Sequence, residues 1–341
     1  MKKQIITTLG IIILSSMVLG QSSRMGSASS TQLLVVPSAR YLSGGGAAAT
    51  ATGMDAVFWN PAGLAMGENS VDVIFSNRQY IADIQNSFFG VATSFAGMKM
   101  GVSVRTFDIG DVDETTVFFP DGTGQVYTPN FSILGGTVSK RLSDNTSVGV
   151  NANLVRESFG RVSASGMAFD LGVQYKGLLG MSGLDLGFVL KNFGTPMQYG
   201  GEGLGVMATA TADRPVEFYK VDAASFDLPF IFDMGLAYNV AGANLGVTYT
   251  SNYYATDEVK FKASYDVAGL ASVAVGMQSS SPAQEIEDAD SDWYTNPADG
   301  VSFGASLDLS RFIGTKLTVD YSMLPMGDFG TNSVVAFRVA F

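Results

Sequence analysis

Apolar and polar residues alternate with a period of two through most of the chain. In Ser147–Val155, Val148, Val150, Ala152 and Leu154 fall on one face and Ser147, Gly149, Asn151 and Asn153 on the other. The same pattern runs through Phe169–Tyr175, Val259–Asp266, Val301–Leu309 and Leu317–Met323. Period two marks β-strands, because successive side chains leave a pleated backbone on opposite sides. Fourteen such segments are predicted, at 70–78, 85–95, 98–107, 131–142, 145–157, 164–176, 183–193, 227–239, 242–252, 257–267, 270–280, 300–310, 315–325 and 332–341. A soluble sandwich also alternates, but its strands average about 5–6 residues, whereas a tilted membrane-crossing strand needs about 9–11. The expected fold is therefore all-β: a transmembrane up-and-down antiparallel β-barrel of about 14 strands, apolar face to lipid.

The connections support this. The long gaps, 108–130, 194–226 and 281–299, are connections three, seven and eleven, so all lie at one end of an up-and-down barrel. The even-numbered connections are short, such as Ser143-Asp144 and Ala241. Long loops outside and short turns on the periplasmic side are the bacterial outer-membrane pattern. An even strand count also puts both termini in the periplasm. The last strand carries Val335, Phe337, Val339 and the terminal Phe341 on one face. A final strand ending in an aromatic resembles the signal read by the barrel assembly machinery, and it must pair with the first strand to remove the barrel's edges.

The N-terminus reads as an export signal. Met1-Lys2-Lys3 is a short basic region, Ile5–Leu19 is apolar and too short to span comfortably, and Val18-Leu19-Gly20 predicts cleavage after Gly20. No Cys follows, which excludes lipoprotein processing. The expected organisation is a signal peptide at 1–20, an N-terminal hatch segment at 21–69 and the barrel at 70–341 in the outer membrane.

The segment before the first strand carries a family resemblance. It contains Leu33-Leu34-Val35-Val36-Pro37-Ser38-Ala39-Arg40, then Gly44–Gly46 and Ala47–Ala49, then Phe58-Trp59-Asn60-Pro61-Ala62-Gly63-Leu64-Ala65. Further on stand Asp227-Leu228-Pro229-Phe230, Asp320-Tyr321-Ser322 and Gly327-Asp328-Phe329-Gly330. Together these resemble FadL-superfamily barrels, closest to the PorV/PorQ family. The resemblance implies that residues 21–69 form a plug inside the lumen. Irregular backbone at membrane depth needs such a protected place. Trp59, Asn60, Pro61, Ala62 and Gly63 are the plug motif. Asn60-Pro61-Ala62-Gly63 either anchors the plug to the wall or is a short cap or turn without a gating role.

Composition removes most chemistry. Of 341 residues none is His or Cys, so imidazole-based catalysis, disulfides and thiolate metal sites are excluded. Net charge is −11, and loss of Lys2 and Lys3 makes the mature chain more acidic still, which argues against a nucleic-acid partner. No enzyme activity, catalytic residue or cofactor is expected. Asp288, Asp290, Asp292 and Asp299 have partial calcium-loop spacing, but Trp293 stands where the sharp turn needs Gly, which favours a solvated acidic loop. Asp108, Asp111, Asp113 and Glu114 form a second acidic patch. Arg105, Lys140, Asp170, Lys176, Asp185, Lys191, Asp233, Lys260, Lys262, Asp266, Asp308, Asp320 and Arg338 fall mostly on the inward register, where pairing across the wall or with the plug is the plain expectation. Phe88-Phe89 and Phe118-Phe119 are candidate ligand contacts or interfacial aromatics.

Two functions follow as expectations. The PorV/PorQ resemblance implies a type IX secretion role, with the long loops binding a translocon or exported cargo proteins. The alternative is FadL-like uptake of hydrophobic small molecules such as fatty acids or aromatics, with Phe118, Phe119, Phe226 and Phe230 as possible contacts. In both, outer-membrane lipid and the assembly machinery are partners.

Overall fold

The computed structural model describes residues 24–43, 45–208, 217–280 and 296–341. The expected signal peptide and Asp288, Asp290 and Asp292 lie outside the described residues. Among the described residues, fourteen antiparallel strands form a closed barrel. They are β1 (Val71–Gln79), β2 (Gln85–Phe95), β3 (Met98–Asp108), β4 (Asn130–Arg141), β5 (Thr146–Phe159), β6 (Val162–Tyr175) and β7 (Leu184–Gly194). Then follow β8 (Ile231–Val240), β9 (Ala243–Asn252), β10 (Glu258–Val267), β11 (Ala271–Ser280), β12 (Gly300–Asp308), β13 (Lys316–Pro325) and β14 (Thr331–Ala340). Each pairs with its sequence neighbours, and β14 pairs with β1 from Asp72↔Ala340 to Gln79↔Ser333. No edge is left to template aggregation or expose backbone to lipid.

The predicted strands recur within about two residues, with one exception. β8 begins at Ile231, not 227, and Asp227–Phe230 is a loop rather than the start of a strand. Pro229 has no N–H for a ladder, the Phe230 amide turns back to the Leu228 carbonyl, and Asp227 accepts from Arg24 and Tyr254.

The outward face is apolar, as at Val102, Leu134, Val150, Leu154 and Leu171, all exposed. Two sequence groupings divide across the wall. Phe88 is buried inside while Phe89 is exposed outside, because neighbours on a strand face opposite ways. Lys140 alternates outward between the inward Ser139 and Arg141 and does not join the lumen charges. Asp266 is exposed near the end of β10, accepting from the Gly269 amide of the turn that follows.

One seam is irregular. Phe169 pairs with Phe193 and Leu171 with Leu190, so Asp170 alone faces Lys191 and Asn192. This is a β-bulge, with Asn192 in the left-handed region at φ 59°. The Asp170 carboxylate satisfies it by accepting from the Asn192 amide, 2.8 Å.

Candidate functional site: the barrel interior

The described residues before β1 fill the lumen as short turns and single helical turns. Such backbone cannot bond itself fully, so the wall supplies partners. In the half toward the short turns, backbone meets backbone. A Cβ on Gly149 of β5 would sit 2.3 Å from the Pro61 carbonyl carbon, so only glycine lets the wall approach there. Gly172 of β6 likewise leaves the space that the Asn60 amide occupies.

Asn60 is fully buried. Its Nδ2 faces the carbonyls of Ala49 (2.7 Å), Val173 of β6 (3.2 Å) and Phe188 of β7 (3.2 Å). Its Oδ1 accepts from the Ala62 amide, which caps the turn Pro61–Leu64. The carbonyl of Ala62 accepts from Ser139 and Ser147, and Arg141 donates to Ala65. Trp59, Asn60, Pro61, Ala62 and Gly63 are thus together against β4–β7, and all are buried. The small-residue run before them lies against β7–β10, where Thr248 of β9 donates to Gly46, and Gln174 of β6 donates to Ala49 and Ala51.

Charge fastens the other side. Arg338 of β14 is bound to both oxygens of Asp55 and to Asp320 of β13. Asp55 also accepts from Ser38, and Asp320 from Ser306 and Arg40. Lys262 donates to the Arg40 carbonyl and Ser322 to that of Ala39. Asp55 and Asp320 are buried and each faces a guanidinium, as buried charge requires. Tyr41 in the same turn is pushed up to about 12, first by burial and then by Asp55, so it stays a neutral phenol.

Toward the long connections the packing changes. A cavity of about 470 Å³ lies between the inner segment and the loops. Leu34, Val35, Ile84, Phe107, Phe131 and Met326 give it an apolar side. Lys191, Asp233, Thr250, Glu258 and Lys260 give it a polar one, in which Lys260 and Glu258 pair at 2.6 Å. Behind it Leu33, Phe107, Ile133, Val155, Ala164 and Met197 form a cluster inside the wall. Phe107, Ile133, Val155 and Ala164 occupy inward strand positions of the register that is polar lower down, and that break in alternation is the signal that could have found them. A separate polar cavity of about 480 Å³ lies at the end of the short turns, lined by Arg40, Asp72, Lys176, Lys316 and Arg338 among others.

Among the sequence candidates, Trp59 lines the upper cavity, and Phe118, Phe119, Phe226 and Phe230 do not. Phe118 and Phe119 are exposed in the third connection, Phe226 pairs with Met197 in the seventh, and Phe230 borders a small pocket of about 110 Å³. Loops carry these four, whereas the cavity wall comes from inward strand positions. Val335, Phe337 and Val339 lie on β14, and the Phe341 backbone bonds Ser70 and Val71. Asp299 accepts from the Ser280 amide and hydroxyl. Among the described residues no group of three or more His, Cys, Asp or Glu is placed to hold a metal. The acidic patch on the third connection is internally bonded: Glu114 accepts from Tyr127 and Thr123, and Asp111 from Thr128.

No family model and no curated protein matches the chain. Solved structures do. The Pseudomonas putida toluene transporter TodX aligns at 12% identity and TM-score 0.52, covering 85% of this chain and 95% of its own. The Ralstonia pickettii toluene transporter TbuX aligns at 11% and 0.51, covering 85% and 94%. CymD, a monoaromatic hydrocarbon channel, aligns at 11% and 0.52, covering 94% and 99%. The chain thus shares the fold of these proteins, a closed antiparallel barrel of 14 strands. These neighbours are channels, and they lend nothing specific to PorV/PorQ membership or to type IX secretion.

Proposed function

We propose that the protein is an outer-membrane channel for small hydrophobic compounds, with residues 21–69 as its hatch and Asn60-Pro61-Ala62-Gly63 as the hatch's anchor. The observation that carries the reading is the upper cavity: an apolar-sided chamber of about 470 Å³ between the inner segment and the long connections. Such a chamber suits a small ligand rather than a protein. The fold likeness to hydrocarbon channels points the same way, and the uptake reading is favoured over the secretion role that the PorV/PorQ resemblance implied.

The test is uptake. The protein is placed in the outer membrane of a host lacking such channels, and entry of labelled toluene is compared with entry of a polar sugar of similar mass. Faster toluene entry with unchanged sugar entry is expected. Unchanged toluene entry overturns the reading. Purification from outer membrane in mild detergent, with mass spectrometry of bound proteins and extracted small molecules, separates the alternatives: a stoichiometric translocon barrel or exported cargo would return the secretion role.

A further inference from the structure

The upper cavity holds hydrogen-bond donors without acceptors. Lys191 lines it and is 3% exposed, yet among the described residues its ammonium makes no hydrogen bond or ion pair. It rests instead over aromatic faces, 4.0 Å from the Phe58 ring centroid and 5.2 Å from that of Trp59. The Trp59 indole Nε1, buried beside it, also has no partner. The neighbouring carboxylates are engaged elsewhere. Asp170 accepts from Asn151, Asn153 and the Asn192 amide, Asp233 from Thr250, and Glu258 holds Lys260. A buried donor without an acceptor is costly, and a charged one more so. An acceptor-only group entering the cavity would relieve both at once.

The rest of the chamber indicates the body of the ligand. Tyr41, Phe58, Trp59, Tyr80, Phe107 and Phe131 all line it. Rings favour offset or edge contact with other rings. Resting on the reading of this cavity as a passage for apolar compounds, we propose that its ligand is an aromatic carboxylate. The ring lies among these aromatics and the carboxylate accepts from Lys191 Nζ and Trp59 Nε1.

The experiment uses the full chain in detergent micelles and three probes: 4-methylbenzoate, toluene and dodecanoate. The chain has two tryptophans, so Trp293→Phe leaves Trp59 as the sole fluorescence reporter. Titration should show 4-methylbenzoate binding about 10- to 100-fold more tightly than toluene, the scale of a hydrogen bond to a charged group. Lys191→Met should remove that preference. Equal binding of 4-methylbenzoate and toluene in the parent chain overturns the carboxylate, and this comparison needs no variant to fold. A preference surviving in a folded Lys191→Met chain also overturns the assignment. Tighter binding of dodecanoate than of 4-methylbenzoate overturns the aromatic body. Toluene binding without a carboxylate preference defeats this inference alone, whereas failure of all three probes to bind defeats the channel reading as well.

Discussion

The two halves of the lumen are closed by different means. Near the short turns the inner segment lies directly on the wall: Pro61 against Gly149, Asn60 over Gly172, and Arg338 clamped between Asp55 and Asp320. Near the long connections the same segment stands off the wall, and aromatic and aliphatic side chains leave a chamber between them. The difference follows from which residues occupy the inward register. Glycine, serine and asparagine bring backbones within bonding distance. Phenylalanine, isoleucine and valine hold them apart. A seal and a binding chamber thus come from one strand pattern whose inward residues change along the barrel axis.

The sharpest way to break this contrast is at the clamp. Arg338→Met leaves Asp55 and Asp320 buried without their shared cation, a loss of about 3–5 kcal/mol for one partner of a buried pair. The folded, fast-migrating band in unheated gels should melt well below the parent, and adding Asp55→Asn should recover part of the loss. A variant as heat-resistant as the parent would mean that the lower seal does not depend on this charge.

Next in size is the glycine contact. Gly149→Ala forces a methyl into Pro61 backbone, where overpacking costs about 1–3 kcal/mol. Gly136→Ala, on the outward side of the neighbouring strand with nothing within 4 Å, should fall within about 0.5 kcal/mol of the parent. Comparing the melting of the two proteins isolates the close approach from the general effect of Gly→Ala in a strand. Equal losses would remove the seal's geometric basis.

How much of this was legible in the sequence depends on what each residue had to show. Strand positions were, because alternation is local and lipid makes the outward face uniformly apolar. The inward placement of most lumen charges was legible for the same reason. The chamber was not. It is made by residues such as Phe107, Ile133 and Val155, each of which reads as another apolar strand position until its parity is followed along the strand. Asp55, in a stretch without periodicity, gave no hint that it would meet Arg338 at the other end of the chain. The Asp170–Lys191 seam stayed hidden too, because a bulge changes parity without a Gly or Pro to announce it.

Within the chamber itself a smaller change should sharpen the comparison. Ile133→Val removes one methylene from the buried cluster behind the cavity, for about 0.5–1.5 kcal/mol. Its thermal effect should be well below that of Arg338→Met, while the size range of bound aromatics should widen toward larger rings. A stability loss equal to the clamp variant's would show the upper half to be as tightly fitted as the lower.

The smallest expected effect lies outside the barrel wall, on the third connection. Glu114 there accepts from Tyr127 and Thr123, and those hydrogen bonds hold its carboxyl below the ordinary value of 4.5. A lowered folded-state pKa means that the contribution is fully present above the unfolded value and is lost as pH falls through the folded one. Acidification below about 4.5 should therefore loosen residues 108–130 before it touches the chamber, whose walls are strand-bonded on both sides. Hydrogen exchange followed by mass spectrometry reads both regions in one sample. Tyr127→Phe removes the larger of the two bonds' effects and should raise exchange in the connection already at neutral pH, leaving β3 and β4 unchanged. Simultaneous loosening of the connection and the upper wall would instead make the loop part of the chamber's support, and the boundary between the regions would move outward.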